Sequence, residues 1–298
     1  MLTTRDNQSS EDSRPDHPDS KSRAHLWTPW RMRYVDGTKR EAGCVFCNRL
    51  TAANDVESLI LHRSADAFII MNLYPYNTGH LMIVPNQHTP SPEQATDASI
   101  AAMAQLRRPL LRAMRRALRC HGFNVGANIG AEAGAGIAEH FHEHVVPRWT
   151  GDANFMPILA HTTVMPELIP VTYAKLRAEL TREIMGFTTT HCVVHGHDDS
   201  VLVDAAGRLP ALSRFDADPI WQQAANMLHD ACTVDPILAG WAGPPQANGR
   251  LIGLSFQVNP TANQASAPGA HWRWIAASEA ENGPDGEWVT NAMANHRF

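Results

Sequence analysis

The sequence predicts an α+β protein in which a mostly antiparallel sheet covered by helices is followed by a smaller second α+β unit. Short apolar runs bounded by turn residues predict strands, and apolar residues at three- and four-residue steps predict one long amphipathic helix. The pattern then changes character near residue 185, where we place a domain boundary. The chain has 298 residues, which is enough for one large or two ordinary domains.

Composition excludes several classes of protein. No apolar run approaches the roughly 20 residues of a membrane-spanning helix, and the N-terminal segment lacks the apolar middle of a secretion signal. With 25 Lys and Arg against 30 Asp and Glu, the formal charge of -5 gives no basic field for a nucleic-acid polymer. The five cysteines, an odd number in a chain too long to depend on disulfides, indicate a reducing compartment. We therefore expect a cytoplasmic protein without membrane or nucleic-acid partners.

The first part of the chain contains a leader and the main sheet. Residues 1–24 are mainly polar, cannot offset the entropy of ordering, and are expected to be disordered. From residue 25 to 185 the apolar pattern predicts four strands and two helices, namely Ala67–Met71, His80–Val84, helix Asp97–Cys120, Phe123–Ile129, His140–Pro147 and helix Thr172–Met185. Such an order is typical of an antiparallel sheet with helices packed on it.

Residues 186–298 predict the smaller α+β unit. Its strands are expected at Phe187–Val194, Ser200–Val203, Leu251–Val258 and Trp272–Ala276, with one helix at Pro219–Cys232. Cys120, Cys192 and Cys232 have no partner pattern, so we expect buried thiols at these positions. His191, His195 and His197 are interpreted as histidines of a turn and a strand end rather than as a second metal site.

One predicted strand carries histidines at alternate positions. Side chains two residues apart share a strand face, so His140, His142 and His144 are predicted to form a row of imidazoles about 7 Å apart. The preceding small-residue loop, residues 126–136, has backbone N–H groups that can approach a phosphate closely. A loop that can bind phosphate therefore precedes a strand whose histidines can attack phosphorus. The alternative interpretation is that the three histidines belong to an exposed polar strand face.

Residues 140–146, His-Phe-His-Glu-His-Val-Val, resemble the His-x-His-x-His-x-x signature of the histidine-triad (HIT) superfamily. Further segments resemble the branch that contains diadenosine-tetraphosphate phosphorylases and hydrolases, namely Leu26–Arg31, Asn72–Asn77, Gly79-His80, Gly122–Gly126 and Gly151–Phe155. Together they span about residues 25–183 in the family's order, so the resemblance implies a HIT fold for residues 25–185.

The resemblance also implies a reaction. A neutral imidazole is a competent nucleophile near pH 7, and His142, the middle histidine, is expected to attack the α-phosphorus and form a covalent nucleotidyl-histidine. His144 and His80 are expected to orient or protonate phosphate oxygens. Water or inorganic phosphate then releases the nucleotide from a dinucleoside polyphosphate or another nucleotide conjugate.

The resemblance assigns binding roles to further residues. Asn72 is expected to hold the ribose hydroxyls, and Trp149 is expected on the leaving-group side. The phosphate contacts are assigned to Asn128 and to the loop residues Gly134, Ala135 and Gly136. HIT proteins are commonly dimers, so we also expect a homodimer.

One departure from the family pattern concerns the second step. Some phosphorylase members carry Gly-Gly-Ser in the loop, where this chain has Gly134, Ala135 and Gly136, so a hydroxyl donor to phosphate is absent. This departure counts against phosphorolysis in particular, and the sequence does not decide between hydrolysis, phosphorolysis and nucleotidyl transfer. The alternative from another class is a catalytically weak nucleotide-binding regulatory or scaffold protein.

A pair of cysteines predicts a metal site. Cys44 and Cys47 have the spacing of a zinc knuckle, with two thiolates presented by one tight turn, and such a site needs two more ligands. The resemblance supplies them as His88 and His140, which gives a structural Cys2His2 zinc site. The alternative is two reduced cysteines packed as small apolar residues.

The C-terminal unit faintly resembles a Nudix domain in its order of strand, hairpin, helix and strand. Leu209-Pro210 before the helix and His271–Trp274 near the end carry this resemblance. A Nudix helix holds magnesium with several glutamates, but residues 218–230 contain none. We therefore expect a non-catalytic Nudix-like domain that shapes substrate access or mediates dimerisation.

Overall fold

The protein is described by a computed structural model. It describes residues 24–25, 42–152, 162–163, 166–186, 189–196, 198–213, 217–232, 234–246, 251–258 and 271–295. Most of the expected leader, the segment Leu26–Arg31, residues 153–155 and His197 lie outside these ranges. Within the described part of the chain, no helix is both long enough and apolar enough to cross a membrane.

The N-terminal unit is built on a five-stranded antiparallel sheet. Its elements are helix α1 (Val45–Thr51), β2 (Ile60–Arg63), β3 (Ala67–Met71), β4 (Leu81–Pro85), helix α2 (Asp97–Leu118), β5 (Gly122–Gly126) and β6 (Glu143–Arg148). The strands lie in the order β2-β3-β4-β6-β5, and each neighbouring pair is antiparallel. A separate short parallel pair joins β1 (Ala24–His25) to β7 (Thr162–Thr163). The predicted antiparallel sheet with helices is confirmed.

Both faces of this sheet are buried at strands β3 and β4, and alternate residues of each strand lie on different faces. On β3, Ala67, Ile69 and Met71 belong to the core under α2 and the later helix α3 (Ile169–Met185). Phe68 and Ile70 belong to a second apolar cluster, which contains Phe46 of α1. Helix α2 begins where predicted, because the side chain of Thr96 caps the N–H of Ser99.

The histidine strand begins later than predicted. We expected a strand from His140, but β6 starts at Glu143. The ring Nε2 of His140 donates to the carbonyl of Pro85, and the N–H of Phe141 donates to the carbonyl of Thr89. His140 and Phe141 therefore bond to the end of β4 and to the segment that follows it instead of joining the ladder of the sheet.

The C-terminal unit is a six-stranded mixed sheet with helices, which confirms its α+β class. It contains β8 (Thr190–His195), β9 (Ser200–Asp204), β10 (Ala211–Leu212), α4 (Ile220–Cys232), β11 (Pro236–Trp241), β12 (Ile252–Val258), β13 (Trp272–Ala276), α5 (Ala277–Ala280) and α6 (Gly286–Asn295). The strand order is β11-β12-β8-β9-β13, with β10 added beside β8 and with β12 and β8 parallel. The likeness to a Nudix domain stays a prediction.

Helix α3 connects the two units. Its buried residues Tyr173, Leu176 and Leu180 belong to one apolar core that extends from the N-terminal sheet to β8 and β12. The buried carboxylate of Glu179 accepts hydrogen bonds from the guanidinium of Arg116 on α2 and from the N–H of Ile220 at the start of α4. The predicted boundary at residue 185 thus falls at the end of a helix that packs on both units.

Candidate functional site

The two cysteines of the predicted knuckle lie at the start of a helix and not in an isolated tight turn. Cys44 is the N-cap residue of α1, and Cys47 lies in its first turn. A helix start places residues three apart on one side, so both sulfur atoms face the same point. Phe46 between them is buried and packs into the second apolar cluster, which anchors the helix to the sheet.

The four predicted metal ligands come together. Sγ of Cys44 lies 3.3 Å from Nδ1 of His140, and Sγ of Cys47 lies 3.4 Å from Nδ1 of His88 and 3.7 Å from Nδ1 of His140. The four ligand atoms all lie within 4.8 Å of one another. A tetrahedral zinc ion with Zn–S near 2.3 Å and Zn–N near 2.0 Å separates such atoms by about 3.6 Å.

The protonation of His140 also fits a metal ligand. Its Nε2 donates to the carbonyl of Pro85 over 2.9 Å, so the proton is on Nε2 and the lone pair of Nδ1 points toward the thiols. Burial lowers the pKa of His140 below its usual value, which keeps the ring neutral. Burial and the neighbouring Cys44 raise the pKa of Cys47 in the absence of a cation. These residues can hold a metal ion, and among the described residues no second group of this kind occurs.

His142 presents a free lone pair. Its Nδ1 lies 2.8 Å from the carbonyl oxygen of His140, which accepts a hydrogen bond and therefore requires the proton on Nδ1. Nε2 is then unprotonated. The ring centroids of Phe46 and His142 lie 4.9 Å apart, and this packing fixes the orientation of the His142 ring.

His80 and His144 form a directed pair. Nδ1 of His80 accepts the N–H of Tyr76 at 3.1 Å and faces the amide nitrogen of Asn72 at 3.3 Å, so the proton of His80 is on Nε2. That Nε2 lies 2.9 Å from Nδ1 of His144. Because Nδ1 of His144 accepts this hydrogen bond, His144 carries its own proton on Nε2. The ring centroids of His144 and His142 lie 4.8 Å apart. The unprotonated Nε2 of His142, an acceptor, and the protonated Nε2 of His144, a donor, therefore belong to neighbouring rings.

Burial makes these histidines neutral. It lowers the pKa of His80 to about 3, with further lowering from the charges of His144 and His142. It lowers the pKa of His144 to about 4, again with a contribution from His142, and it lowers the pKa of His142 itself. At neutral pH the imidazoles of His80, His142 and His144 are therefore neutral and have fixed tautomers.

A cavity of about 440 Å³ lies on this face of the sheet, and we call it the histidine cavity. His142, His144, Tyr76 and Gly136 line one part of it, and its apolar lining includes Phe46, Leu59, Ile70, Met82 and Ile137. Its size and its apolar walls with a few polar groups are typical of a small-molecule site.

The small-residue loop flanks the cavity between β5 and β6. Gly130 and Gly134 adopt positive φ values of 83° and 81°, which glycine accepts without strain. The amide of Asn128 faces the carbonyl of Gly134 at 3.4 Å. Gly136 lines the cavity, Gly134 and Gly136 are exposed, and Ala135 between them is half-buried.

Asn72 and Trp149 lie at different distances from this chemistry. Asn72 lines the histidine cavity, and its side-chain oxygen accepts the N–H of Tyr74. Trp149 follows β6, and its indole nitrogen faces the carbonyl of Leu118 at 3.3 Å. Trp149 is thus not among the described residues that line the cavity.

Two aromatic residues at the site were not predicted as site residues. Phe46 packs on both His140 and His142, and Tyr76 stacks on His144 with ring centroids 5.7 Å apart. In the sequence, Phe46 lies inside the Cys-x-x-Cys pair and Tyr76 lies inside the family-like segment Asn72–Asn77, but neither position indicates a contact with a histidine ring. Glu143 lies between the histidines but on the opposite strand face, where Arg107 of α2 contacts both of its oxygens at 2.8 and 2.6 Å.

The sequence matches known proteins. Residues 53–151 match the model of the HIT domain. An AP-4-A phosphorylase of Mycobacterium tuberculosis is 38% identical over 165 residues, which is 53% of this chain and 85% of that protein. The adenosine 5'-monophosphoramidase of Schizosaccharomyces pombe is 25% identical over 105 residues, which is 35% of this chain and 74% of that enzyme.

A solved structure is also similar. The Zn-bound histidine triad family protein from Mycobacterium smegmatis superposes with a TM-score of 0.39 and 27% sequence identity, covering 47% of this chain and 94% of that one.

Proposed function

The chain belongs to the HIT family, and we propose that it is an enzyme that cleaves nucleotide conjugates at the α-phosphate through a covalent nucleotidyl-His142 intermediate. The observation that carries the proposal is that the neighbouring rings of His142 and His144 carry their protons on different nitrogen atoms. Nε2 of His142 is unprotonated and has an available lone pair, whereas Nε2 of His144 carries a proton. One ring can attack phosphorus while its neighbour donates.

In the first step, Nε2 of His142 forms a bond to the α-phosphorus as the bond from phosphorus to the leaving oxygen breaks. The lone pair is available because Nδ1 of His142 donates to the carbonyl of His140. The same hydrogen bond stabilises the positive charge that the ring acquires on attack. Phe46 holds the ring in place and excludes water from one side of it.

His144 and His80 serve the phosphate oxygens. The Nε2 proton of His144 donates to a phosphoryl oxygen or to the leaving oxygen, and the hydrogen bond from His80 to Nδ1 of His144 keeps that proton in position. Tyr76 stacks over His144 and limits its rotation. These contacts support donor roles for His144 and a positioning role for His80.

The cavity supports binding of a nucleoside monophosphate portion. Asn72 is proposed to hold the ribose, and Asn128 with the backbone of Gly134, Ala135 and Gly136 is proposed to contact phosphate. The apolar wall of Phe46, Ile70 and Met82 suits a flat base.

For the substrate we propose diadenosine tetraphosphate or a related nucleotide conjugate, because a relative with 38% identity is named AP-4-A phosphorylase. Attack on the α-phosphorus of diadenosine tetraphosphate leaves adenylyl-His142 and releases ATP. Water then yields AMP, whereas inorganic phosphate yields ADP. Trp149 is proposed to lie toward the departing group.

We propose that Cys44, Cys47, His88 and His140 hold a structural zinc ion. With four protein ligands the ion has no open position, so it supplies stability and not chemistry. It ties α1 to the segment that contains His140, whose backbone carbonyl accepts the hydrogen bond from Nδ1 of His142. The five free cysteines fit a cytoplasmic location, and the family resemblance supports a homodimer.

The test is product analysis by chromatography after incubation with diadenosine tetraphosphate, with and without inorganic phosphate. ATP with AMP supports hydrolysis, and ATP with ADP in the phosphate-containing reaction supports phosphorolysis. Binding of the nucleotide without any product would contradict the proposal and favour a regulatory nucleotide-binding protein.

A further inference from the structure

A second cavity lies where the two units meet, and we call it the junction cavity. It has a volume of about 160 Å³. Helix α3 contributes Ile169, Pro170 and Tyr173, and the C-terminal unit contributes Ala239, Gly240 and Trp241. The C-terminal unit thus builds about half of a pocket that the N-terminal unit alone does not have.

The junction cavity is the immediate neighbour of the histidine cavity. Glu57, Leu59 and Leu73 line both of them and form their common wall. Leu59 has a φ of 61°, a left-handed conformation that is costly for a leucine. Backbone strain of this kind collects at ligand sites, where the surrounding structure enforces it.

The common wall lies on the base side of the proposed nucleotide. The strand order places β2, which follows Leu59, three strands away from β6, which carries His144. At about 4.8 Å between strands this is about 14 Å, comparable with the length of a nucleoside monophosphate. A nucleotide with its phosphorus at His142 therefore crosses β4 and β3 and brings the far edge of its base toward Leu59.

The walls of the junction cavity are held in place by a buried cation. Arg177 of α3 donates to the hydroxyl of Tyr173 at 2.7 Å and to the carbonyl of Pro244 at 2.9 Å, and its guanidinium lies 4.5 Å from the Trp241 ring centroid. The Tyr173 hydroxyl in turn donates to the carbonyl of Ile60 on β2. The pocket is therefore preorganised from both units and does not need to be ordered by a ligand.

Chemistry and volume define the occupant. The lining is predominantly apolar, and an apolar cavity of about 150 Å³ accepts a benzene-sized molecule. We propose that the junction cavity is a specificity subsite of the C-terminal unit, which accepts a compact apolar group attached to the base-side end of the nucleotide substrate. The inference rests on the proposed function, because it places the nucleotide in the histidine cavity.

A variant that fills the cavity is available at Gly240 of β11. A Cβ at this position meets Pro170, which also lines the cavity, at 4.0 Å, an ordinary van der Waals distance, so the backbone accepts a Cβ here and valine adds bulk at the cavity wall. Ala211→Val is the matched control, because it adds a valine to exposed strand β10 of the same unit. Circular dichroism verifies that both variants are folded.

The experiment measures dissociation constants by calorimetry for AMP, N6-benzyl-AMP, GMP and N2-benzyl-GMP, because these exocyclic nitrogens lie on the Watson–Crick edge of the base. We expect the benzyl form of the accepted base to bind at least about tenfold more tightly than its parent. Gly240→Val is expected to remove this preference, and Ala211→Val to retain it.

The results distinguish failure of the subsite from failure of the proposed function. If AMP or GMP binds but the benzyl group gives no preference, or if the preference survives Gly240→Val, the subsite is contradicted and the proposed function stands. If none of the four nucleotides binds, the proposed function and the subsite are both contradicted.

Discussion

Nε2 of His80 lies 2.9 Å from Nδ1 of His144, and this hydrogen bond fixes which nitrogen of His144 carries a proton. The direction of the bond follows from the other end, where Nδ1 of His80 accepts the N–H of Tyr76. A backbone amide, which is always a donor, thus sets the tautomer of two rings in succession.

The first prediction concerns this chain of hydrogen bonds. His80→Ala removes the donor to His144, and we expect kcat for the nucleotide substrate to fall at least about tenfold with a smaller change in KM. His80→Gln supplies both an acceptor and a donor, so it is expected to restore part of the loss. The exposed His229→Gln serves as the control. Equal activity of His80→Ala and wild type would refute the positioning role.

The second prediction concerns stability against pH. The pKa of His80 is lowered to about 3 in the folded protein from 6.5, so the unfolded state binds more protons between these values. The free energy of unfolding is therefore expected to fall as the pH drops below 6.5, with this residue contributing up to about 1.4 kcal/mol per pH unit. In urea unfolding at several pH values, His80→Gln should show a flatter dependence than wild type, whereas His229→Gln should not. Parallel curves for His80→Gln and wild type would contradict the burial of a neutral ring.

The third prediction concerns the metal. Native mass spectrometry of the wild type is expected to show one zinc ion per chain, and Cys47→Ser is expected to lose it, because Sγ of Cys47 lies within 3.7 Å of both ligand histidines. Cys120→Ala, which removes a buried thiol outside the cluster, should retain zinc. Stoichiometric zinc in Cys47→Ser would exclude this cluster as the site.

The fourth prediction concerns the contact between the two units. Glu179 is fully buried and accepts hydrogen bonds from Arg116 of α2 and from the N–H of Ile220 in α4. Glu179→Ala leaves these donors unsatisfied and is expected to lower the free energy of unfolding by about 3 kcal/mol. The exposed Glu279→Ala should change it by less than about 0.5 kcal/mol.

Because the core runs through α3 into both units, we expect a single cooperative unfolding transition for the whole chain. Two separated transitions in urea, with Glu179→Ala affecting only one of them, would show that the units are independently stable.

The histidine row shows how far sequence alone leads. The sequence correctly brought His142 and His144 together, although only His144 lies on β6 and the ring centroids are 4.8 Å apart rather than about 7 Å. The family pattern gathered Cys44 and His88 at the same point. The start of the strand was wrong, because His140 bonds to Pro85, a partner 55 residues away that no local pattern reveals.

Features built from distant segments lie beyond such patterns. The junction cavity combines Leu59, Tyr173 and Trp241, which are brought together by helix α3 and not by spacing. The left-handed conformation of Leu59 is equally invisible in sequence, because leucine carries no preference for it.

Nucleophilic attack by His142 is tested by intact-protein mass spectrometry after incubation with diadenosine tetraphosphate, comparing wild type with His142→Ala. After a rapid denaturing quench, we expect a mass increase of one adenylyl group in the wild type and none in the variant. An adduct of equal yield in His142→Ala, or substrate turnover undiminished by that substitution, would contradict nucleophilic attack by His142.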